Sequence, residues 1–197
     1  MNIQLSVALI IFAGTIALSL LGLYTTPKII KRNLFRPYWI ARKKQYETFV
    51  TSGFVHADLT HLIFNMVTFF FFGFSLERRI GSLQFALLYF IGLLASHVGT
   101  YYKQKNNPEY ASLGASGAIS AVLFAAIVYN PRSSLFIIPI PVPIPAPLFG
   151  VAYLAYSWYA SKNSHGRINH DAHIGGALAG LAFVAVTNPQ AYAALLG

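Results

Sequence analysis

Gly114-Ala115-Ser116-Gly117 stands at the head of an uncharged apolar run, Ala118 to Val128. A serine between two glycines at the mouth of a membrane helix is ordinarily a packing group. Such hydroxyls bond back to their own backbone and let helices approach one another. Serine becomes a nucleophile when a base and a set of oxyanion donors stand beside it. Which of these Ser116 is depends on the helices that surround it, and those are read outward from this stretch.

The surrounding chain is 56% apolar and 10% charged, with a mean hydropathy of +0.56, far from an average soluble domain. Long apolar blocks alternate with short polar breaks, which implies an integral, multi-pass membrane protein forming one bundle. There is no cysteine, so disulfides, thiolate catalysis and cysteine metal sites are excluded. The net charge of +9 sits in loops beside apolar segments, which points to anionic lipid headgroups rather than nucleic acid. No basic and aromatic surface of the kind that binds nucleic acid is present in the pattern.

Six spans are expected, at about 3–24, 59–77, 83–102, 116–129, 147–161 and 168–187, within a single domain covering 1–197. The first has no Lys or Arg before it, so it reads as a retained helix rather than a secretory signal. A basic, aromatic connector (Lys28, Lys31, Arg32, Trp39, Arg42) follows and suits the membrane interface. Gly81-Ser82 supplies a helix stop and a new start. Proline at every second position from Pro139 to Pro147 excludes helix there and implies an extended lead-in to the fifth span. The first, third and fifth connectors carry seven, two and two Lys/Arg, against two and one in the second and fourth. By the positive-inside rule this places the termini outside the cytoplasm.

Polar residues within spans are costly and are functional candidates by default. His61 and Asn65, four apart, share one face of the second helix. His173 opens the sixth and is followed by Gly176-x-x-x-Gly180, the spacing that lets membrane helices touch at backbone distance. Gly117-x-x-x-Ala121 in the fourth helix offers a matching stripe. Packing along these stripes would bring Ser116 and His173 to one depth, where a neutral imidazole can take a serine proton. The Ser116 amide at a helix N-terminus is one oxyanion donor. His61 and Asn65 are candidates for side-chain donors.

Four blocks together carry a family likeness: His56-x-x-x-x-His61-x-x-x-Asn65, Gly73-x-x-x-Glu77-x-x-x-Gly81, Gly114-Ala115-Ser116-Gly117 and Ala172-His173-Ile174-Gly175-Gly176. In order and spacing, over roughly 49–183, this set resembles the signature of the rhomboid intramembrane serine proteases. The resemblance implies an all-α, six-transmembrane-helix bundle with Ser116 as nucleophile and His173 as general base, without an acidic third member. It implies oxyanion donors from His61, Asn65 and the Ser116 amide, and no cofactor or metal. His56 resembles a loop-organising histidine, and Glu77 with Gly81 a structural turn. The implied substrates are single-span membrane proteins, cut near a helix-destabilised site with a small residue before the scissile bond. They would enter between the second helix, at Phe64, and the fifth, at Trp158.

The implied setting is a bacterial inner membrane, with the Ser116 end extracytoplasmic and both termini cytoplasmic, the reverse of the charge count. The chain departs from the family pattern at two places. Tyr46-Glu47 stands where relatives often carry Trp-Arg, and Ser120 where many carry an aromatic that stacks on the base. Asn169, His170 or Asp171 are then candidates for holding His173, although Asp171, two residues away, points elsewhere on a helix. Two rivals remain open. One is a metalloprotease using His56, Asp58, His61, His170, Asp171 and His173, although no His-Glu-x-x-His occurs. The other is a catalytically silent rhomboid-like protein that binds membrane clients.

Overall fold

In the computed structural model, which describes residues 6–137, 140–163 and 168–196, helices stand at all six expected positions. The first, α1 (Val7–Leu20), continues as a π turn through Leu21–Thr25. Three short helices fold the basic connector: α2 (Lys28–Asn33), α3 (Pro37–Lys43) and α4 (Thr48–Thr51). Then come α5 (Leu59–Ile80), α6 (Ser82–Gln104), α7 (Ser116–Tyr129), α8 (Ala146–Asn163), α9 (His170–Thr187) and the terminal turn α10 (Ala193–Leu196). The part of the expected first span before Ser6 lies outside the described residues.

Local chemistry sets these boundaries. Asp58 caps α5 by accepting from the His61 amide at 2.8 Å, and Asn169 caps α9 by accepting from the Ala172 amide at 3.1 Å. Gly81 separates α5 from α6 with φ +82°, a conformation that side chains disfavour. Glu77, in the last turn of α5, reaches the start of α1. It accepts from the Val7 amide at 2.7 Å and the Ser6 hydroxyl at 2.5 Å, placing an anion where a helix N-terminus favours one.

The expected lead-in to α8 is extended, but it is paired: β1 (Ser134–Ile137) runs antiparallel to β2 (Ile140–Pro145), with Leu135 opposite Ile144. This hairpin is a departure from an all-α chain. Prolines at alternate positions keep φ extended and leave the intervening amides of Ile140, Val142 and Ile144 as the strand's donors, a pattern an edge strand tolerates. Pro139, at the head of the proline run, lies outside the described residues.

Helix α7 is the axis of the molecule. Twelve of its fourteen residues are buried, as expected of a helix apolar on every side. α9 lies against it at backbone distance: a Cβ added to Gly176 would run into the Gly117 carbonyl group, and one on Gly180 into Ala121. α6 packs on a second side, Gly92 facing Ala121 and Ser96 facing Gly117. α5 contributes Leu62, Met66 and Phe69 to the same core.

α1 with its π turn, α5 and α6 are each long and apolar enough to cross a bilayer. α9 and the segment after it, bent by 115°, make a fourth when counted together. At 14 residues α7 is about 21 Å long, shorter than a hydrocarbon core of roughly 30 Å.

Candidate active site

The segment leading into Ser116 is held from three directions. The Gly114 amide donates to the Ser52 carbonyl at 2.9 Å, and the Ala115 amide donates to His56 Nε2 at 3.4 Å. Gly114 has φ +114°, and a Cβ there would meet the His61 ring at 2.6 Å, so both conformation and space demand glycine.

Because His56 Nε2 accepts, the ring's proton belongs on Nδ1, which is 3.0 Å from Ser19 Oγ; the Ser19 hydroxyl in turn faces the Phe54 carbonyl at 3.3 Å. His56 therefore joins α1 to the serine loop, the organising part the resemblance assigned to it. It is fully buried, and that burial, with His61 nearby, pushes its pKa down to about 3.

A second buried histidine supports the same loop and was not singled out from the sequence. His97 lies between two serines, with Nε2 2.9 Å from Ser52 Oγ and Nδ1 3.0 Å from Ser96 Oγ. Ser96 spends its own proton on the Leu93 carbonyl at 2.6 Å. So Nδ1 donates to Ser96 and Nε2 accepts from Ser52. Ser52 is the residue whose carbonyl holds Gly114, which makes this network the floor beneath the loop.

His173 rides on α9 one turn before Gly176. The start of α9 is tied down by the Thr100 hydroxyl, 3.0 Å from Asn169 Oδ1, and by Lys103, 2.9 Å from Asp171 and 2.8 Å from the Ser161 carbonyl. Asp171 thus faces α6 and Lys103, as its position two residues from His173 predicts.

Ser116, Asn65 and His173 open onto one cavity of about 740 Å³ between α5, α7, α8 and the hairpin. Among the described residues no hydrogen bond joins the Ser116 and His173 side chains. The Asn65 amide donates to the His61 carbonyl at 2.9 Å, which fixes its orientation. His61 is not in the cavity wall; its ring stands 4.8 Å from that of His56, edge to face, pressed on Gly114.

Of the two aromatics expected at the gate, one lines the cavity. Phe64 lines it, but Trp158 does not; its ring carries Lys162 at 3.9 Å. From α8 the wall is made instead by Phe149 and Tyr153, and Tyr153 stacks on His173. The sequence signal for Tyr153 was faint: an aromatic pair four apart, missed because periodicity alone does not tell a lipid face from a cavity face. Among the described residues no three His, Cys, Asp or Glu side chains gather as a cation site.

These features define a helical membrane protein with a serine and a histidine facing one cavity between its helices. The chain belongs to the rhomboid family: the family model "Rhomboid domain" matches residues 43–190, about three quarters of it. It is similar to RHOMBOID-like protein 12, mitochondrial, of Arabidopsis thaliana, 29% identical over 150 residues (66% of this chain, 43% of the relative). It is also similar to the human Presenilin-associated rhomboid-like protein, mitochondrial, 33% identical over 141 residues (68% of this chain, 36% of the relative). A third relative, YdcA of Bacillus subtilis, is 39% identical over 70 residues (36% of this chain, 34% of the relative). The chain spans less than half the length of each of these relatives. Two of these are mitochondrial by name, which runs against the bacterial inner membrane expected from the sequence, and one is from a bacterium.

Proposed function

We propose that this chain is an intramembrane serine endopeptidase that cleaves single-span membrane proteins through a Ser116–His173 dyad, on a six-span bundle. The observation that carries this reading is the convergence of Ser116, Asn65 and His173, from three different helices, on one cavity. His173 takes the Ser116 proton as Oγ attacks the scissile carbonyl. The oxyanion so formed is held by the Ser116 amide, which has no hydrogen-bond partner among the described residues, and by the Asn65 amide group. The His61 ring, packed on His56 and Gly114 outside the cavity wall, is not placed to join them. His173 then protonates the leaving amine, and the acyl group stays on Ser116. Water attacks that ester, gives its proton to His173, and the proton returns to Ser116 Oγ as the acid product leaves.

The short α7 supports a site below the membrane surface, and the glycine-led loop before it is buried against Ser52, His56 and His61, where protein rather than lipid surrounds its backbone. Phe64 on one wall and Phe149 with Tyr153 on the other support entry of a substrate helix between α5 and α8. For orientation we adopt the Ser116 end as extracytoplasmic. The basic first connector is a folded element pinned to the loop before α7. Phe35 pairs with Ser112 through two backbone hydrogen bonds, Trp39 donates to the Pro108 carbonyl at 3.2 Å, and Arg42 and Lys43 lie over Tyr38 and Trp39. A reporter fused to either terminus reads the orientation.

The deciding experiment is labelling by a serine-directed fluorophosphonate together with cleavage of a panel of single-span substrates. Labelling and cleavage by the wild type, abolished by Ser116→Ala and by His173→Ala, is the expected result. A folded wild type that does neither refutes the protease and leaves a client-binding rhomboid-like protein.

A further inference from the structure

We propose that Tyr153 of α8, anchored by Ser120 of α7, is the positioning residue for the His173 imidazole; this rests on the dyad reading above. The Tyr153 ring stacks on that of His173, with centroids 6.0 Å apart and planes 23° from parallel. Its hydroxyl is 2.9 Å from Ser120 Oγ, one helical turn after the nucleophile. Phe149 stacks on Tyr153 at 5.9 Å and 29°, and Phe124 lies 5.6 Å away, so the tyrosine ring is itself held in place.

A base without an acidic partner needs another restraint on its ring. The terminal torsion of histidine is broad, and an imidazole free to turn presents its acceptor nitrogen to Ser116 only part of the time. His170 approaches His173 edge-on at 5.7 Å and 78°, and Asp171 is committed to Lys103. The flat face of Tyr153 is the contact that fixes the plane of the ring, since an imidazole turned out of parallel loses the stacking arrangement.

Positions 120 and 153 are reciprocal in size. Ser120 is almost fully buried, and its small side chain leaves room for a ring delivered from α8. An aromatic at 120 would claim that same volume. The stacking ring therefore comes from the neighbouring helix instead of from the helix of the nucleophile. Because α8 is also a wall of the cavity, displacement of α8 by a substrate helix moves the group that orients the base.

The test uses the full chain in detergent or vesicles, with turnover, KM, fluorophosphonate labelling rate and thermal unfolding measured on each variant. Tyr153→Leu is expected to lower kcat by about 10- to 100-fold, part of what a positioned base contributes, with KM and the unfolding midpoint near wild type. Tyr153→Phe, which keeps the stack and loses one hydrogen bond, should lose only about 2- to 10-fold. The exchange Ser120→Tyr with Tyr153→Ser returns a ring to the base from α7 and should recover most of the kcat lost in Tyr153→Leu. Wild-type kcat in a folded Tyr153→Leu overturns the proposal. Should Tyr153→Leu not fold, the exchange decides: kcat within about 10-fold of wild type supports positioning, and a folded exchange variant slower than that overturns it. An unreactive wild type sinks the dyad reading itself, and is told apart by the absence of any Ser116-dependent labelling.

Discussion

Replacing Gly176 by alanine tests the packing that brings the proposed dyad together. An added Cβ would stand 2.8 Å from the Gly117 carbonyl carbon and 3.2 Å from its Cα, with the carbonyl oxygen nearer still. Ordinary contacts of this kind begin near 3.4 Å, and every atom met is backbone, so no side chain can turn aside. α9 must then move away from α7 by roughly 1 Å, at an overpacking cost of about 1–3 kcal/mol. His173 is one turn from Gly176, and Ser116 adjoins Gly117, so the whole displacement falls between nucleophile and base. A misplacement of about 1 Å can cost on the order of 100-fold in rate. Against a total stability of about 5–15 kcal/mol, the variant stays overwhelmingly folded, so the rate loss is geometric and not a fraction unfolded. The assay is the fluorophosphonate labelling rate beside thermal unfolding. Gly99→Ala is the control: nothing lies within 4 Å of its added Cβ, and helix propensity predicts a gain of up to about 1 kcal/mol. Wild-type labelling and midpoint in Gly176→Ala would refute the close α7–α9 contact as what sets the site.

Asn65→Ala should lower turnover by about 100- to 1000-fold while the bundle stays folded, and full activity would reduce Asn65 to its hydrogen bond with the His61 carbonyl. Asp171→Asn removes only a half-exposed ion pair with Lys103, so less than about 1 kcal/mol of stability and little activity should go with it. A loss of activity comparable to that of His173→Ala would instead make Asp171 part of the catalytic machinery. His56, with its pKa held near 3 against 6.5 when unfolded, contributes stability that is complete above pH 6.5. As pH falls toward 3 that contribution is lost at about 1.4 kcal/mol per unit, because the unfolded chain binds the proton first. Unfolding midpoints measured at pH 7.5 and 5 should show the slope, and His56→Gln should make it shallower by the share of this one histidine.

What could be read directly from the chain was local. Apolar runs ended by Gly81, Asn130-Pro131 and Asn188-Pro189 located the helices, since hydropathy and termination act through contiguous residues. The glycine stripes of α7 and α9 announced their contact, which leaves Ser116 and His173 on one cavity, because small residues at a four-residue spacing have few other uses in a membrane. The rest required the fold. That Tyr153 faces the base while Trp158 faces outward under Lys162 follows from the rotation of α8, and both are simply aromatic residues on an apolar helix. The link from Ser19 through His56 to Ala115 joins residues up to 96 positions apart, and His97 reaches the loop only because α6 crosses beneath it. Hydropathy and spacing determine which segments become helices and which faces carry small or polar groups. Which side chains meet across those faces is set by helix rotation and depth, which come from packing summed over the whole bundle.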